Sequence, residues 1–399
     1  MRIMIVTDQY PPQVGGVPTV TQELAVNFAG RGHQVWVVAP SYGRGDVYHL
    51  EQQVGVYRFL SFQWPTGGAR ISYLPFVSIL NLLKKVDPEI IHIHTPIVLG
   101  NITQLLASAF HKPVIATHHH LPITVYALAN KPLTSKYFSK VIHSYFVHFY
   151  NRFDYVTAPT ATALNLLYEH GLRAPAGVIS NGVDLKKFTP GKADEHLRQS
   201  FNLPRGRPIV LYLNRLSYEK RIDVLLDAVA KMSGNGHLAI GGSGVAEADL
   251  HAQAEQLNIS DRVTFLGFVQ DADLPSLYQL GDVFVNPSEA ELQSISMMKA
   301  MACGLPVIAA DSYALPELAH HGENGFVFQH GNSDELAHYL DTILAEPALR
   351  AQMGLKSLQI IAEHDSEWVL DQWEALYWRL ANEFAEAKER KKSFRMGDA

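Results

Sequence analysis

The chain has 399 residues, 47% apolar and 18% charged, with a net charge of −6 at pH 7. That length predicts two domains. The composition excludes wholesale disorder, and the mildly negative charge argues against general nucleic-acid binding. The single cysteine, Cys303, rules out an internal disulfide framework and a cysteine-rich zinc site, and suits a reducing compartment. The charge is uneven: residues 1–185 hold 13 Lys+Arg against 9 Asp+Glu, a balance of +4, and residues 186–399 hold 20 against 30, a balance of −10. No acidic residue falls between Glu89 and Asp154, where Lys112, Lys131, Lys136, Lys140 and Arg152 lie.

In chain order, the N-terminal MRIMIVTDQYPP is too short an apolar run for a signal peptide and predicts a buried first strand. Strands are predicted at residues 3–7, 34–39, 90–94, 113–117, 155–158 and 177–180, with helices between them at 17–31, 76–85, 97–110, 135–152 and 161–170. Strand–helix alternation requires crossover connections and a mostly parallel sheet. Residues 181–207 (NGVDLKKFTPGKADEHLRQSFNLPRGR) are rich in Gly, Pro and charge and read as a link. Alternation then resumes with strands at 208–213, 237–240, 262–266, 283–285 and 306–309 and helices at 222–232, 247–257, 274–279 and 293–302. The remainder from Ser333 to about Lys388 is nearly all helical in pattern, and KERKKSFRMGDA reads as frayed. No run approaches the ~18 apolar residues of a spanning helix. The expected architecture is α/β: two doubly wound Rossmann-like domains, 1–185 and 186–365, facing a cleft at the carboxyl ends of their strands. Residues 366–399 are expected to form a C-terminal helix crossing back to the first domain.

Four stretches could carry chemistry. Gly15-Gly16, in DQYPPQVGGVP after the first strand, would let backbone pass close to a ligand or make a tight turn. In LNRLSYEKRID, Arg215 closes a strand and Lys220 opens a helix. A pyrophosphate suits such a pair, although Arg215 could instead pair with Glu219 or Asp223. Gly241-Gly242-Ser243-Gly244 resembles a nucleotide loop, but the third glycine of G-x-G-x-x-G falls on Glu247, and no Walker-A pattern occurs. His92, His94 and the run His118, His119, His120 crowd two strand ends. With no Asp, Glu or Cys close by to complete a ligand set, a metal site is not expected, and one histidine facing the ligand is the better reading.

Taken in order, YPPQVGGV, DPEIIHIHTP, PVIATHHH, ISNGVDLKKFTP, LYLNRLSYEKRID, AIGGSG, VTFLGFV, LPSLYQLGDVFVNPSEAELQS, AMACGLPVIAAD, LPEL and GENGFVF resemble the retaining nucleotide-sugar glycosyltransferases of family 4, which have the GT-B fold. The resemblance covers nearly the whole chain and includes members like diacylglycerol glucosyltransferases and phosphatidylinositol mannosyltransferases. It implies that Gly16, with Gly15, approaches the donor sugar and phosphates, and that His119 lies by the sugar. Arg215 and Lys220 would neutralise the diphosphate, and Glu291 would hold sugar hydroxyls. Gly242, Gly267 and Val269 would sit on the donor side, with Leu292, Gln293 and Ser294 offering helix N-terminal N–H groups to phosphate. Lys299 departs from the pattern. The family has a second glutamate there, usually on the nucleotide ribose, and a lysine only donates. Lys299 could donate to ribose oxygens, pair with Glu291, or point elsewhere.

The implied reaction is retaining, metal-independent hexosyl transfer, with the nucleotide-sugar as co-substrate and no cofactor. Asp8 could serve as a base or structure the glycine loop. The helix SKYFSKVIHSYFVHFYNRF presents Lys136, Lys140, Ser144, His148 and Arg152 at four-residue spacing. Tyr137, Val141, Tyr145 and Phe149, with Phe138, Ile142 and Phe146, form a broad apolar face beside them. Such a helix could lie on an anionic bilayer or simply pack on the core. With the ELQS stretch, the reading is a cytoplasmic enzyme, peripheral on the inner face of the plasma membrane. It would move glucose from UDP-glucose to a lipid such as diacylglycerol. A soluble sugar or sugar-phosphate acceptor, a nucleotide-sugar epimerase and a donor-binding inactive chain are the alternatives.

Overall fold

The computed structural model describes residues 1–43, 45–64, 70–122, 136–192 and 194–397, with backbone alone at 136–139 and 391–397. It divides into two units, Met1–Ser180 with Val369–Ala399, and Asn181–Trp368. In unit 1 the strands are β1 (Arg2–Val6), β2 (Gln34–Pro40), β3 (Val47–Glu51), β4 (Val54–Phe59), β5 (Ser61–Gln63), β6 (Arg70–Ser72), β7 (Ile90–Ile93), β8 (Val114–Thr117), β9 (Tyr155–Ala158) and β10 (Ala176–Val178). Its described helices are α1 (Gly16–Gly30), α2 (Phe76–Val86), α3 (Val98–Ala109), α4 (Lys136–Tyr150) and α5 (Ala161–Glu169).

Eight of these strands form one sheet in the order β10-β9-β8-β7-β1-β2-β4-β3, and β5 with β6 makes a separate hairpin. Every pair in the large sheet is parallel except β3 with β4. Strands buried on both faces need near-continuous apolar sequence. Ile3, Met4, Ile5 and Val6 accordingly have no exposure.

The region between the second and third predicted strands is where the sequence misleads. Four strands, β3 to β6, lie there, and none reads as an apolar run. Strand β3 is an edge strand with Val47, Tyr48 and Leu50 exposed. Strand β4 carries Gly55, where a Cβ would come within 2.8 Å of Trp36. It also carries Arg58, buried because its guanidinium donates to the carbonyls of Pro11 and Pro40 and lies 5.5 Å from the Tyr10 ring centroid.

Unit 2 contains β11 (Ile209–Leu213), β12 (His237–Gly241), β13 (Val263–Gly267), β14 (Val283–Asn286), β15 (Val307–Ala310) and β16 (Gly325–Phe328), in the order β13-β12-β11-β14-β15-β16, all parallel. Helices α6 (Glu195–Ser200), α7 (Ile222–Lys231), α8 (Glu247–Gln256), α9 (Leu274–Leu280), α10 (Ile295–Ala302), α11 (Ser333–Ala345) and α12 (Pro347–Ile361) complete it. The segment read as a link is part of this unit's core: Val183, Phe188 and Leu203 are buried in it. Helix α13 (Ser366–Gly397) runs past Lys388, so the tail read as frayed is helical to Gly397. Val369, Trp373, Tyr377 and Leu380 on α13 are buried with Phe28 and Ile90 in the core of unit 1.

Candidate functional site

Each sheet reverses its strand order at one place, and loops leaving the carboxyl ends of the two strands that flank such a reversal diverge to leave a crevice. In unit 2 the reversal falls between β11 and β14. Arg215 and Lys220 follow β11, and Glu289 and Glu291 follow β14, so sheet topology alone brings these charges together.

The two loops are tied by backbone contacts. Glu289 N and the Ser288 hydroxyl both donate to the carbonyl of Glu219, at 3.0 and 3.1 Å. Lys220 Nζ lies 2.7 Å from Glu291 Oε1, in a pair whose side chains are only 9% and 12% exposed. Asn214 Nδ2 donates to the same oxygen at 3.4 Å, and Asn214 Oδ1 accepts from Arg215 N. Arg215 donates to Glu219 Oε1 at 2.8 Å, and Ser217 donates to that oxygen at 2.6 Å. Burial raises the Glu219 carboxyl, but the Ser217 hydrogen bond and the charges of Arg215 and Lys220 outweigh it and hold the group below its ordinary range. Arg215 itself is 44% exposed. The pairing of Arg215 with Glu219, weighed as one reading of the sequence, is thus present. Asn214 and Ser217 are supporting residues that the Arg–Lys spacing did not single out.

Of the three readings of Lys299, the structure places its ammonium 4.9 Å from the Phe188 ring centroid, while the Glu291 carboxylate is engaged by Lys220 and Asn214. Ser294 caps α10, its hydroxyl accepting from Met297 N and from Asn286 Nδ2. Gln293 Oε1 accepts from Asn181 N, and Leu292 is buried.

The glycine loop after β12 has a structural reason to be glycine. Gly242 has φ +130°, and a Cβ there would overlap the carbonyl oxygen of Asn214. Its N–H donates to Gly267 at 2.7 Å, so that N–H is engaged inside the fold and not aimed at a phosphate. Gly267 has φ +66°, and Val269 is buried beside the loop. Replacing Gly242 with alanine is expected to lower the stability of unit 2 by roughly 2–4 kcal/mol, because strain and a backbone clash combine. Urea unfolding of the variant measures this.

In unit 1 the strand order reverses between β1 and β7. Asp8, Gly15 and Gly16 follow β1, His94 follows β7, and His118, His119 and His120 follow β8. Gly15 caps α1, its carbonyl accepting from Thr19 N and Oγ1. Asp8 structures α3 and not the glycine loop: it accepts from Leu99 N at 3.2 Å and from the Thr95 hydroxyl at 2.8 Å. Burial pushes its carboxyl up to about 6 against those hydrogen bonds.

His119 is half-buried, as is His120, and its Nε2 lies 2.9 Å from Nδ1 of buried His94. Burial, then the neighbouring imidazoles of His94, His120 and His118, holds it well below the ordinary histidine range. His92 is a satisfied core residue, bonded to Tyr377 Oη and Thr117 Oγ1, each at 2.6 Å. No group of three or more His, Cys, Asp or Glu side chains able to hold a metal ion occurs among the described residues.

Of the apolar face predicted on α4, Phe146 and Phe149 are buried and Ile142 is half-buried, while Val141 and Tyr145 are exposed. Val147 and Tyr150 are buried too, and Lys140, Ser144 and His148 are exposed. Tyr145 Oη donates to the carbonyl of Pro96 and accepts from Asn101 Nδ2, and Arg152 donates to Asn101 Oδ1 at 2.7 Å. Lys131 lies outside the described residues, as do the side chains of Lys136, Tyr137 and Phe138.

Residues 14–187 match the family described as Glycosyltransferase Family 4, and residues 193–358 match Glycosyl transferases group 1. The alpha-monoglucosyldiacylglycerol synthase of Streptococcus pneumoniae is 28% identical over 91% of this chain and 83% of its own length. A GDP-mannose-dependent alpha-mannosyltransferase of Mycolicibacterium smegmatis is 30% identical over 78% of this chain and 80% of its own. Among solved structures, the sucrose-phosphate synthase of Thermosynechococcus elongatus aligns over 95% of this chain and 99% of that one, with a TM-score of 0.81 at 22% identity.

Proposed function

Because the chain belongs to the family 4 glycosyltransferases, with the GT-B fold, we propose that it moves glucose from UDP-glucose to a diacylglycerol-type lipid, with retention at the anomeric carbon. The observation that carries this reading is the junction of Arg215, Lys220 and Glu291 at the reversal point of the unit 2 sheet. A sugar donor of this kind leaves as a nucleotide diphosphate. Negative charge therefore develops on the diphosphate oxygens while positive charge develops on the sugar ring. Fixed cations aimed at the leaving group lower that barrier without reorganising. Arg215, half-exposed, would give its donors to the diphosphate, and the Lys220 ammonium would share itself between the diphosphate and Glu291. These two cations supply the positive charge in this mechanism, so the reading needs no metal ion. The contacts of Glu291 fall on Oε1, so Oε2 is the oxygen to receive a sugar hydroxyl. In unit 1, Gly16 and His119 are the residues proposed for the sugar. No placed carboxylate serves as a nucleophile in this scheme. A front-face route, with a phosphate oxygen taking the acceptor proton, follows.

The likeness to the glucosyldiacylglycerol synthase supports glucose and a lipid acceptor. The likeness to the mannosyltransferase supports a second reading, mannose from GDP-mannose. No described helix is long and apolar enough to cross a membrane, and the proposed enzyme meets its lipid at the inner face of the plasma membrane. Incubating the purified protein with UDP-, GDP- and ADP-sugars, with and without diacylglycerol, tests both readings. Lipid-dependent release of UDP from UDP-glucose supports the first, and release of GDP alone replaces it with the second. Turnover of any donor to an epimer without acceptor would reject transfer.

Lys299 bears on the same experiment. An ammonium over the Phe188 ring gains a cation–π contact of about 0.5–2 kcal/mol but cannot accept from ribose hydroxyls. Lys299→Glu is expected to bind donor as well as the wild type or better, by calorimetric titration. Abolished binding in that variant would give Lys299 an essential role.

A further inference from the structure

We infer that the hairpin β5–β6 and the start of α2 form a docking surface for an anionic lipid bilayer, an inference that rests on the lipid-acceptor reading. Phe62, Trp64, Tyr73, Leu74, Phe76 and Val77 are each 38% to 80% exposed, with Leu74 the most open. Exposed apolar residues scattered singly mean nothing. These six fall within sixteen positions, and the structure gathers them. Antiparallel pairing sets Ser61 against Ser72 and Phe62 against Ile71. Tyr73 N donates to Leu60 O at 3.0 Å, and the Phe62 and Tyr73 rings lie 5.4 Å apart. Phe76 and Val77 then open α2, which turns Ile79, Leu82, Leu83 and Val86 into the core. The core-facing stripe of α2 is therefore complete without Phe76 and Val77, and packing does not account for them.

Charge selects the partner. From Gln52 to Val86 the sequence contains no aspartate or glutamate, and it contains Arg58, Arg70, Lys84 and Lys85. Lys84 and Lys85 are exposed and share the outer face of α2 with Val77 and Asn81, at helical spacing i, i+4, i+7 and i+8. Arg58 and Arg70 turn inward to the Tyr42 ring. The flanking acids are engaged: Glu51 pairs with His49 and Arg58, Asp87 pairs with Lys112 and Arg2, and Asp46 accepts from Leu60 N. Aromatic and aliphatic tips beside exposed lysines, with no acid between them, match the interfacial zone of an anionic membrane. Protein interfaces instead deplete lysine, which disfavours a second copy or a protein partner as occupant.

Flotation with phosphatidylglycerol–phosphatidylcholine vesicles at low salt, without donor, tests the surface. The wild type is expected to float with anionic vesicles. Lys84→Ala with Lys85→Ala should weaken binding about 10- to 30-fold, near tenfold per 1.4 kcal/mol at ~1 kcal/mol per basic residue. Leu74→Asp with Val77→Asp should abolish it. Brominated lipid should quench the wild-type fluorescence by an increment absent from Trp64→Phe, a readout needing no destabilising change. Equal flotation of the Leu74→Asp, Val77→Asp variant and the wild type would overturn the proposal. So would loss of the quenching difference, or a self-association removed by that variant with no vesicle binding in the wild type. Transfer to diacylglycerol dispersed in detergent keeps the two readings apart. Its absence rejects the lipid acceptor, while flotation judges the surface independently.

Discussion

Replacing Lys220 with methionine is expected to lower transfer by about 10²–10³-fold, the scale of losing one fixed charge at a developing anion. The same variant should also unfold more easily. Glu291, only 12% exposed, would keep a charge without its ammonium, and breaking a buried pair from one side costs roughly 3–5 kcal/mol. Arg215→Met separates the two effects. Its partner Glu219 keeps the Ser217 hydroxyl, and Arg215 is half-exposed, so the stability cost should be only about 1 kcal/mol while transfer falls as far as in Lys220→Met. A Lys220→Met, Glu291→Met double variant should recover much of the stability, since apolar replacement of a buried pair is often neutral, and recover none of the turnover. Steady-state rates with saturating donor, set beside urea unfolding curves, measure all four proteins. Turnover unchanged in an Arg215→Met, Lys220→Met variant would remove the diphosphate role from both residues.

The parts of this molecule that a sequence exposes are those where one local pattern has one structural solution. Parallel strands such as Ile3–Val6 and Ile209–Leu213 are apolar throughout because both faces are covered, so their runs are legible. Arg215, Lys220 and Glu291 stand out as charges at strand ends. Their convergence is not local. It depends on β11 and β14 being neighbours, a fact of strand order. The support from Asn214 and Ser217 is likewise visible only when hydrogen bonds are known.

The strands missed between Pro40 and Phe76 fail for the opposite reason. Arg58 reads as surface, yet is buried by two carbonyls and an aromatic ring. Phe62, Trp64 and Leu74 are large and apolar yet exposed, so this stretch carries no buried period to read. Helix α4 is ambiguous for a related reason. Its aromatic residues fit either a membrane or a core, and only packing decides that Phe146, Phe149 and Tyr150 are interior.

Unit 1 is expected to lose stability steeply as the pH falls from about 6.5 to 4. His92, His94 and His119 are held well below the ordinary histidine range, chiefly by burial, as are His118, pushed down to about 3, and His120, to about 4. In that window the unfolded chain takes up protons that the folded unit refuses. The unfolded state thus binds more protons, so stability is full above the unfolded pKa near 6.5 and falls with acidification. Each histidine contributes up to about 1.4 kcal/mol per pH unit while it is protonated only in the unfolded state. Asp8 opposes the trend, because its raised folded pKa of about 6 makes the folded unit the better proton binder between about 6 and 3.8. Asp154, raised by burial, opposes it too, and His143, pushed down to about 4, joins the other five histidines; two groups stand against six, and the histidines prevail. In unit 2 the histidines lowered in this way are His237 and His364, so unit 1 should unfold first on acidification. Four of the five tryptophans, Trp36, Trp64, Trp373 and Trp378, belong to unit 1. Tryptophan fluorescence during urea unfolding at pH 7.5, 6 and 5 therefore follows it. His118 is the group to change. It is buried against Phe146 and Tyr150, and its Nε2 has no hydrogen-bond partner. His118→Phe should fill the same space, lose a 3.3 Å contact with Tyr150, and flatten the slope of stability against pH by about 1.4 kcal/mol per unit. A slope identical to that of the wild type would mean that His118 is already protonated in the folded chain, and the burial assigned to this cluster would not govern its titration.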